Sequence, residues 1–499
     1  MSLVEIGPTP RSPGVLVPVR FRAIGDRVLY TNPWGDWVLV SKADHARLLA
    51  GEAPPPGPLH DALAARSFLR ATVDPQEQAD RLARRRRFLD AGPSLHVFVL
   101  TPRSNETNVH GHASRAEADA VAPDMTLETA EKAVDLALQT TSPSVTIELR
   151  GGEPLVSFPV LKHVILCALQ KNRSYGKQLA FTMVSNLALM DDDKLAFLVA
   201  NKVQIATHVD GPEALHSRQR ALAGGSSYRE AVTWIERINA AYVKLGLDPS
   251  IYHVEARLTT TPEALRYPRE IVDTYVGLGC RAIFLRPVVP FGWADRPAKA
   301  VEHDGGAFME FYRTAVEHLL GYNRRGHQVT EGYATIFLTK ILRDEDPTSL
   351  DVRSPSGSAI GALAYHYDGG VFTSDEGLRM HELGDSAFRI GDVATSTYRQ
   401  LMTHPTVRAL VMASIREVQP DCVSCAFTPY CGVQPEHSYR TQGSIFGRMR
   451  ESTLCAVHKG IQGYLFEKLG EGDEATLEIL RRWTMVPDRP HFLHASSAS

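Results

Sequence analysis

The chain has 499 residues, 43% hydrophobic and 22% charged, and its 54 basic against 57 acidic residues leave a net charge of −3. That balance excludes a disordered chain and a generally basic nucleic-acid binder. No apolar run approaches the roughly 18 residues of a membrane span, and the opening MSLVEIGPTPRSPG carries Pro and Gly where a signal peptide is apolar. The expected partners therefore include no nucleic acid and no membrane, and the expected location is cytoplasmic.

Residues 1–90 read as a small α+β domain. RVLYTNPWGDWVLV alternates and is rich in β-branched and aromatic residues, with a hairpin turn at Asn32–Gly35. Ser41 then caps a helix, KADHARLLAG, that Gly51 stops. The stretch 53–58 is a rigid loop and a short helix follows at 59–66, which makes a winged-helix-like unit. Arg84–Arg87 is a basic run, expected to be the solvated face of a helical linker.

From 91 to 330 short apolar runs alternate with helix-period segments. The expected strands are 95–100, 145–149, 180–185, 203–208, 253–259 and 281–286. The expected helices are 126–139, 159–173, 191–200, 227–245, 268–278 and 306–323. Strand–helix units in series predict parallel strands joined by right-handed crossovers, as a β/α barrel or an open doubly wound sheet. Either arrangement puts ligands at the carboxyl ends of the strands. Residues 331–470 are more irregular, and 471–499 are expected to be a tail whose end, HFLHASSAS, is disordered.

Six cysteines occur, four of them as Cys422-x2-Cys425-x5-Cys431 with Cys455 further on. This spacing in a long chain predicts one four-thiolate metal site, a [4Fe–4S] cluster or a zinc ion, with every coordination position filled. Cys167, on an apolar helical stripe, and Cys280, before a strand, are expected to be packed core thiols. After the second strand comes Gly151-Gly152-Glu153-Pro154, preceded by Arg150. Glycines there allow a close approach to backbone, and Glu153 offers a carboxylate for an ammonium group.

At these residues the sequence resembles a known family. TIELRGGEPLVSFPVLKHVI resembles the second βα unit of radical S-adenosylmethionine (SAM) proteins. The match continues through MVSNLALMDDDKLAFL, THVDGPEALHSRQR and IFLRPVVPFG, and the C-terminal cysteine pattern is similar to the SPASM/twitch extension of that superfamily. With FRAIGDRVLYTNPWGDWVLVS and SPSGSAIGALAYHYDGGVFTSDEG it covers about 20–465 and looks closest to the radical SAM maturases of His-Xaa-Ser peptide systems. The resemblance implies a partial (β/α)6 barrel at 91–330, a peptide-recognition-like domain at 1–90 and a SPASM-like domain at 331–470. It also implies a precursor peptide as partner and cofactor contacts from Gly151, Gly152, Glu153, Pro154, Ser185, Asn186 and Asp210. A base or donor is common in the SPASM region of active relatives. His366, Asp368 and Asp375 lie near its turn, where residues alone do not rank them above ordinary turn residues.

One departure outweighs the matches. The family's first βα loop carries CxxxCxxC, three thiolates that leave one iron of a cluster open to the cofactor. Here the three positions are Ser104, Asn108 and Gly111, held in register by Arg103, Asn105 and Ala113. A hydroxyl is a hard donor that stays protonated, an amide is weak, and glycine has no side chain. His110 and His112 are expected to be exposed polar residues. The reading preferred is a degenerate member that keeps the fold and the C-terminal site but has lost reductive SAM cleavage, and that binds a precursor peptide or pairs with an active maturase. The alternatives are a SAM-binding enzyme running non-radical chemistry or using another metal at the barrel mouth, and an active maturase whose cysteines were engineered away.

Overall fold

The computed structural model describes residues 15–109, 116–120, 123–291, 304–346 and 349–494. His110, Gly111, His112 and Ala113 lie outside the described residues. The alternating N-terminal segment forms three antiparallel strands in chain order, Arg20–Ile24, Arg27–Thr31 and Trp37–Ser41. Gly35, at φ +94°, donates its N–H to the Asn32 carbonyl and closes the hairpin. Ser41 caps helix Lys42–Leu49 by accepting the Asp44 N–H, and helices Pro58–Ala65 and Pro75–Arg85 follow. Tyr30, Val40, Leu63 and Phe68 form a separate small core.

The basic run departs from its expected role. Arg84 and Arg87 are exposed, but Arg85 is mostly buried and pairs with Asp344, and it donates to the carbonyls of Trp34 and Pro429. Arg86 pairs with Glu417. Half of the run is thus a clamp onto the C-terminal region, because a guanidinium has enough donors to join several carbonyls and a carboxylate at once.

The barrel sheet holds five parallel strands in the order Glu255–Arg257, Val203–His208, Gln178–Val184, Ser144–Arg150 and Leu95–Val99. Four residues of LHVFV are buried, as expected of a strand covered on both faces. Helices Leu127–Leu138, Phe158–Tyr175, Asp192–Ala200, Ser227–Lys244, Pro268–Gly277 and Gly305–Arg324 fall where the periodicity puts them. Thr126, Asp191 and Ser226 cap three of them through their side-chain oxygens. The sixth strand shrinks to Ala282–Ile283, paired with Thr330–Glu331, and meets the fifth unit through a parallel bridge from Thr260 to Pro287.

Two features lie beyond the expected pattern. Strand Ala362–Tyr365 of the C-terminal region pairs in parallel with Leu95–Val99, and Gly370–Phe372 and Arg389–Asp392 extend the same sheet antiparallel. The chain after 470 is also not a disordered tail up to 494. Helix Glu474–Trp483 buries Ile479, Leu480 and Trp483, and Leu493–His494 pairs with Leu179 and Ala180. The apolar face of the helix outweighs the polar composition around it.

Candidate functional site

The loop after the first strand folds directly over the glycines of the second. A Cβ at Gly152 would stand 2.3 Å from the Arg103 carbonyl oxygen, and one at Gly151 would stand 2.7 Å from that of Thr101. The Gly152 and Glu153 N–H groups donate to those same two carbonyls. The close approach that the glycines permit is therefore made here by the chain's own backbone. Pro154 begins the short helical turn that follows.

Glu153 is 1% exposed. Its Oε1 accepts from the Leu155 N–H at 3.0 Å and the Ser185 hydroxyl at 2.8 Å, and its Oε2 accepts from the Asn186 N–H at 2.8 Å. Burial pushes its pKa up to about 7, with the nearby Glu106 charge adding to the rise and the three donors opposing it. The Asn186 side chain donates to Asn105 Oδ1 at 2.8 Å, tying the third strand's loop to the first.

Ser104 is buried, and its hydroxyl donates to the Glu106 carbonyl and accepts from the Glu106 N–H. Asn108 lies in a short strand, Glu106–Asn108, paired antiparallel with Arg220–Leu222. That pairing delivers a charged centre that the sequence did not reveal. Arg220, 5% exposed, donates to Asp210 Oδ2 at 2.7 Å and Glu106 Oε1 at 3.2 Å, while Ser227 donates to Glu106 Oε2 at 2.6 Å. Asp210 also accepts the Thr259 N–H at 3.0 Å. Two buried carboxylates around one guanidinium draw the three loops together.

Beside this network the strand ends carry further charge. Arg150 bridges Glu148 and Asp375, and Arg257 reaches Glu148 at 3.1 Å. Arg286 pairs with Asp351, and their side chains are 42% and 33% exposed. Glu376, next to Asp375, has its pKa raised to about 7, first by burial and then by the charges of Asp351 and Asp375. A mouth lined by alternating guanidinium and carboxylate groups suits a polar or peptide-like ligand. None of these residues forms a local motif, so only the strand register assembles them.

Cys422, Cys425, Cys431 and Cys455 lie near enough to one another for their charges to interact. Cys422 and Cys425 stand on consecutive turns, the Cys425 N–H donating to the Cys422 carbonyl at 3.1 Å. Cys431 follows the buried Phe427 and Tyr430, and Cys455 lies in the first turn of helix Thr453–Glu471, capped by Ser452. Burial and the mutual repulsion of neighbouring thiolates push Cys422 and Cys455 up to about 12. Burial also raises Cys431, against the pull of Arg416 and Lys340. All four are free thiols. This donor set fits a metal centre, since binding would relieve thiolate repulsion that Lys459, Arg416 and Lys340 only partly offset. Cys167 and Cys280 sit in the main core.

The N-terminal sheet docks on this centre. Arg20 donates to the Val423 carbonyl at 2.7 Å, Thr31 to that of Ala426 at 2.8 Å, and Tyr430 to that of Gly35 at 3.0 Å. Among the described residues no helix is long and apolar enough to cross a membrane.

No family model matches the chain. Among solved structures it is similar to native anSMEcpe with bound AdoMet and Kp18Cys peptide, with 14% identity, a TM-score of 0.61, and coverage of 78% of this chain and 100% of that one. It is also similar to Streptococcus suis SuiB bound to precursor peptide SuiA, with 10% identity, a TM-score of 0.52, and coverage of 87% and 98%. At these identities the likeness is one of fold, and the fold is the radical SAM-type α/β barrel that the sequence resemblance implied.

Proposed function

We propose that this protein is a degenerate radical SAM/SPASM-family member of ribosomal peptide maturation. It binds a precursor peptide or partners an active maturase, and it does not cleave SAM. The observation that carries this reading is the barrel mouth. The six cysteines of the chain are Cys167 and Cys280 in the core and the four of the C-terminal site, so the first loop, over its whole length, has no thiolate to give. Ser104 turns its hydroxyl onto its own loop, and Glu106, Arg220 and Asp210 satisfy one another where the loops converge. Loops tied together in this way hold one another without an inorganic core.

The C-terminal cysteines are read as the ligands of one [4Fe–4S] cluster. Four thiolate donors in this spacing support the reading, with Arg416 and Lys340 beside Cys431 to offset negative charge. When bound, the cluster would supply a brace, and an electron relay if a redox partner docks. Residues 1–90 are proposed as the peptide- or partner-binding unit, which fits a structural neighbour crystallised with a precursor peptide. The balanced charges of the mouth, Arg150, Arg286, Asp351 and Glu376, are proposed to receive the polar backbone of a peptide. A cytoplasmic location goes with this reading.

The test is to purify the chain anaerobically, reconstitute it with iron and sulfide, and add SAM with a reductant. The expected result is no 5′-deoxyadenosine and no heat of SAM binding at millimolar concentration. Detection of 5′-deoxyadenosine would overturn the proposal. SAM binding without cleavage would favour the non-radical enzyme instead.

A further inference from the structure

A second cluster of metal-donor side chains lies apart from both sites. We propose that His366, Asp368 and His381 bind a divalent first-row transition-metal ion of the zinc class. One ligand atom from each of the three lies within 4.8 Å of the other two. Two imidazoles and one carboxylate are the donor set that zinc and non-haem iron share.

The decisive contact is between His366 and Asp368. His366 is 4% exposed, and its Nδ1 faces Asp368 Oδ1 at 2.8 Å. That separation is one that either a shared proton or a bound cation can bridge. A metal bonded at about 2.0–2.2 Å to each would hold them about 3 Å apart.

The surroundings fix the ligands as a metal site requires. The turn carrying His366 and Asp368 is closed by the His366 N–H to the Gly370 carbonyl and the Gly369 N–H to the His366 carbonyl, both 2.9 Å. The Gly370 N–H donates to Asp368 Oδ1 at 2.8 Å and aims the carboxylate. His381 shares a hydrogen bond of 2.7 Å between Nδ1 and Ser386 Oγ, which leaves Nε2 for the metal. The rings of His366 and His381 meet edge-on at 5.6 Å. Arg389, the nearby cation, is committed to Asp392 at 3.0 Å.

Three protein ligands leave a position open, and Asp368, 41% exposed, puts that position toward solvent. The site sits at the rim of the barrel. Its turn follows strand Ala362–Tyr365, which runs parallel to Leu95–Val99 and ends level with it. His381 is six residues, about 9 Å, along its helix from Asp375, the partner of Arg150. A metal there would hold the C-terminal hairpin to that helix and offer a Lewis-acidic position beside the mouth.

The test uses the full chain with its cysteine site filled by iron and sulfide. Equilibrium dialysis against zinc chloride with metal analysis should find one further zinc equivalent. Asp368→Asn and His381→Ala should each weaken it at least about a hundredfold. Ser386→Ala, at an exposed position, should weaken it about ten- to a hundredfold with unchanged circular dichroism. Cobalt added in its place should give a spectrum without a thiolate charge-transfer band. The one-equivalent difference between the unsubstituted chain and His381→Ala is read whatever metal the cysteines hold, so it is independent of the function proposed above. Absence of the further equivalent, its survival in folded Asp368→Asn and His381→Ala, or a thiolate band with cobalt would each overturn the proposal.

Discussion

The barrel mouth and the cysteine centre are both places where the fold would hold an inorganic group, and they are built in opposite ways. At the mouth the groups around the first loop have partners within the chain: Arg220 serves Glu106 and Asp210, and Glu153 accepts three donors. At the C-terminal centre the thiols lie near one another, and the ionisation of Cys422 and Cys455 is opposed by burial and by their neighbours. The first arrangement is stable as it stands. The second gains free energy only when a metal arrives. On the reading proposed above, a site that has lost its ligand and one that awaits it should differ in whether their polar groups satisfy each other.

That contrast breaks first at Arg220. Arg220→Ala strands two buried carboxylates and should cost about 3–5 kcal/mol in denaturant unfolding, with iron content unchanged. A cost below 1 kcal/mol would show that the mouth is not held by its own charges. Glu153→Gln tests the same closure through pH. The carboxyl holds its proton in the folded chain up to about pH 7 but loses it near 4.5 when unfolded. The folded state therefore binds the extra proton between those values, and stability falls as pH rises through that window, by at most roughly 3 kcal/mol. The substituted chain should lose that part of the slope, as read from unfolding midpoints at pH 5 and pH 7.5.

Smaller effects sharpen the picture. Gly152→Ala drives a methyl group into the Arg103 carbonyl, with an expected loss of about 1–3 kcal/mol in thermal unfolding; a neutral result would mean that the first loop has room for a ligand against the glycines. Arg86→Ala breaks a mostly exposed pair with Glu417 and should cost under about 1 kcal/mol. A larger cost would make Arg86 an equal partner of Arg85 in the clamp on the C-terminal region.

The strand–helix alternation was readable because each unit repeats a local period, and the cysteine centre because CxxC is a local spacing. The mouth network was not readable. Glu106 and Arg220 are 114 positions apart and meet only through an antiparallel pairing of two short strands. Strand Ala362–Tyr365 has nothing local to say that it joins Leu95–Val99. His366 and Asp368 stood out near their turn, but His381 enters from a separate helix, so the trio exists only in the folded chain. The C-terminal helix was misread because its few apolar residues, Ile479, Leu480 and Trp483, all fall on one face.

The most direct test of the central claim is an iron and sulfide count after anaerobic reconstitution, on the full chain and on Cys422→Ser/Cys431→Ser. The account predicts about four irons per chain in the first and none as a cluster in the second. About eight irons in the full chain, or a cubane signal that persists when the C-terminal thiolates are removed, would contradict it.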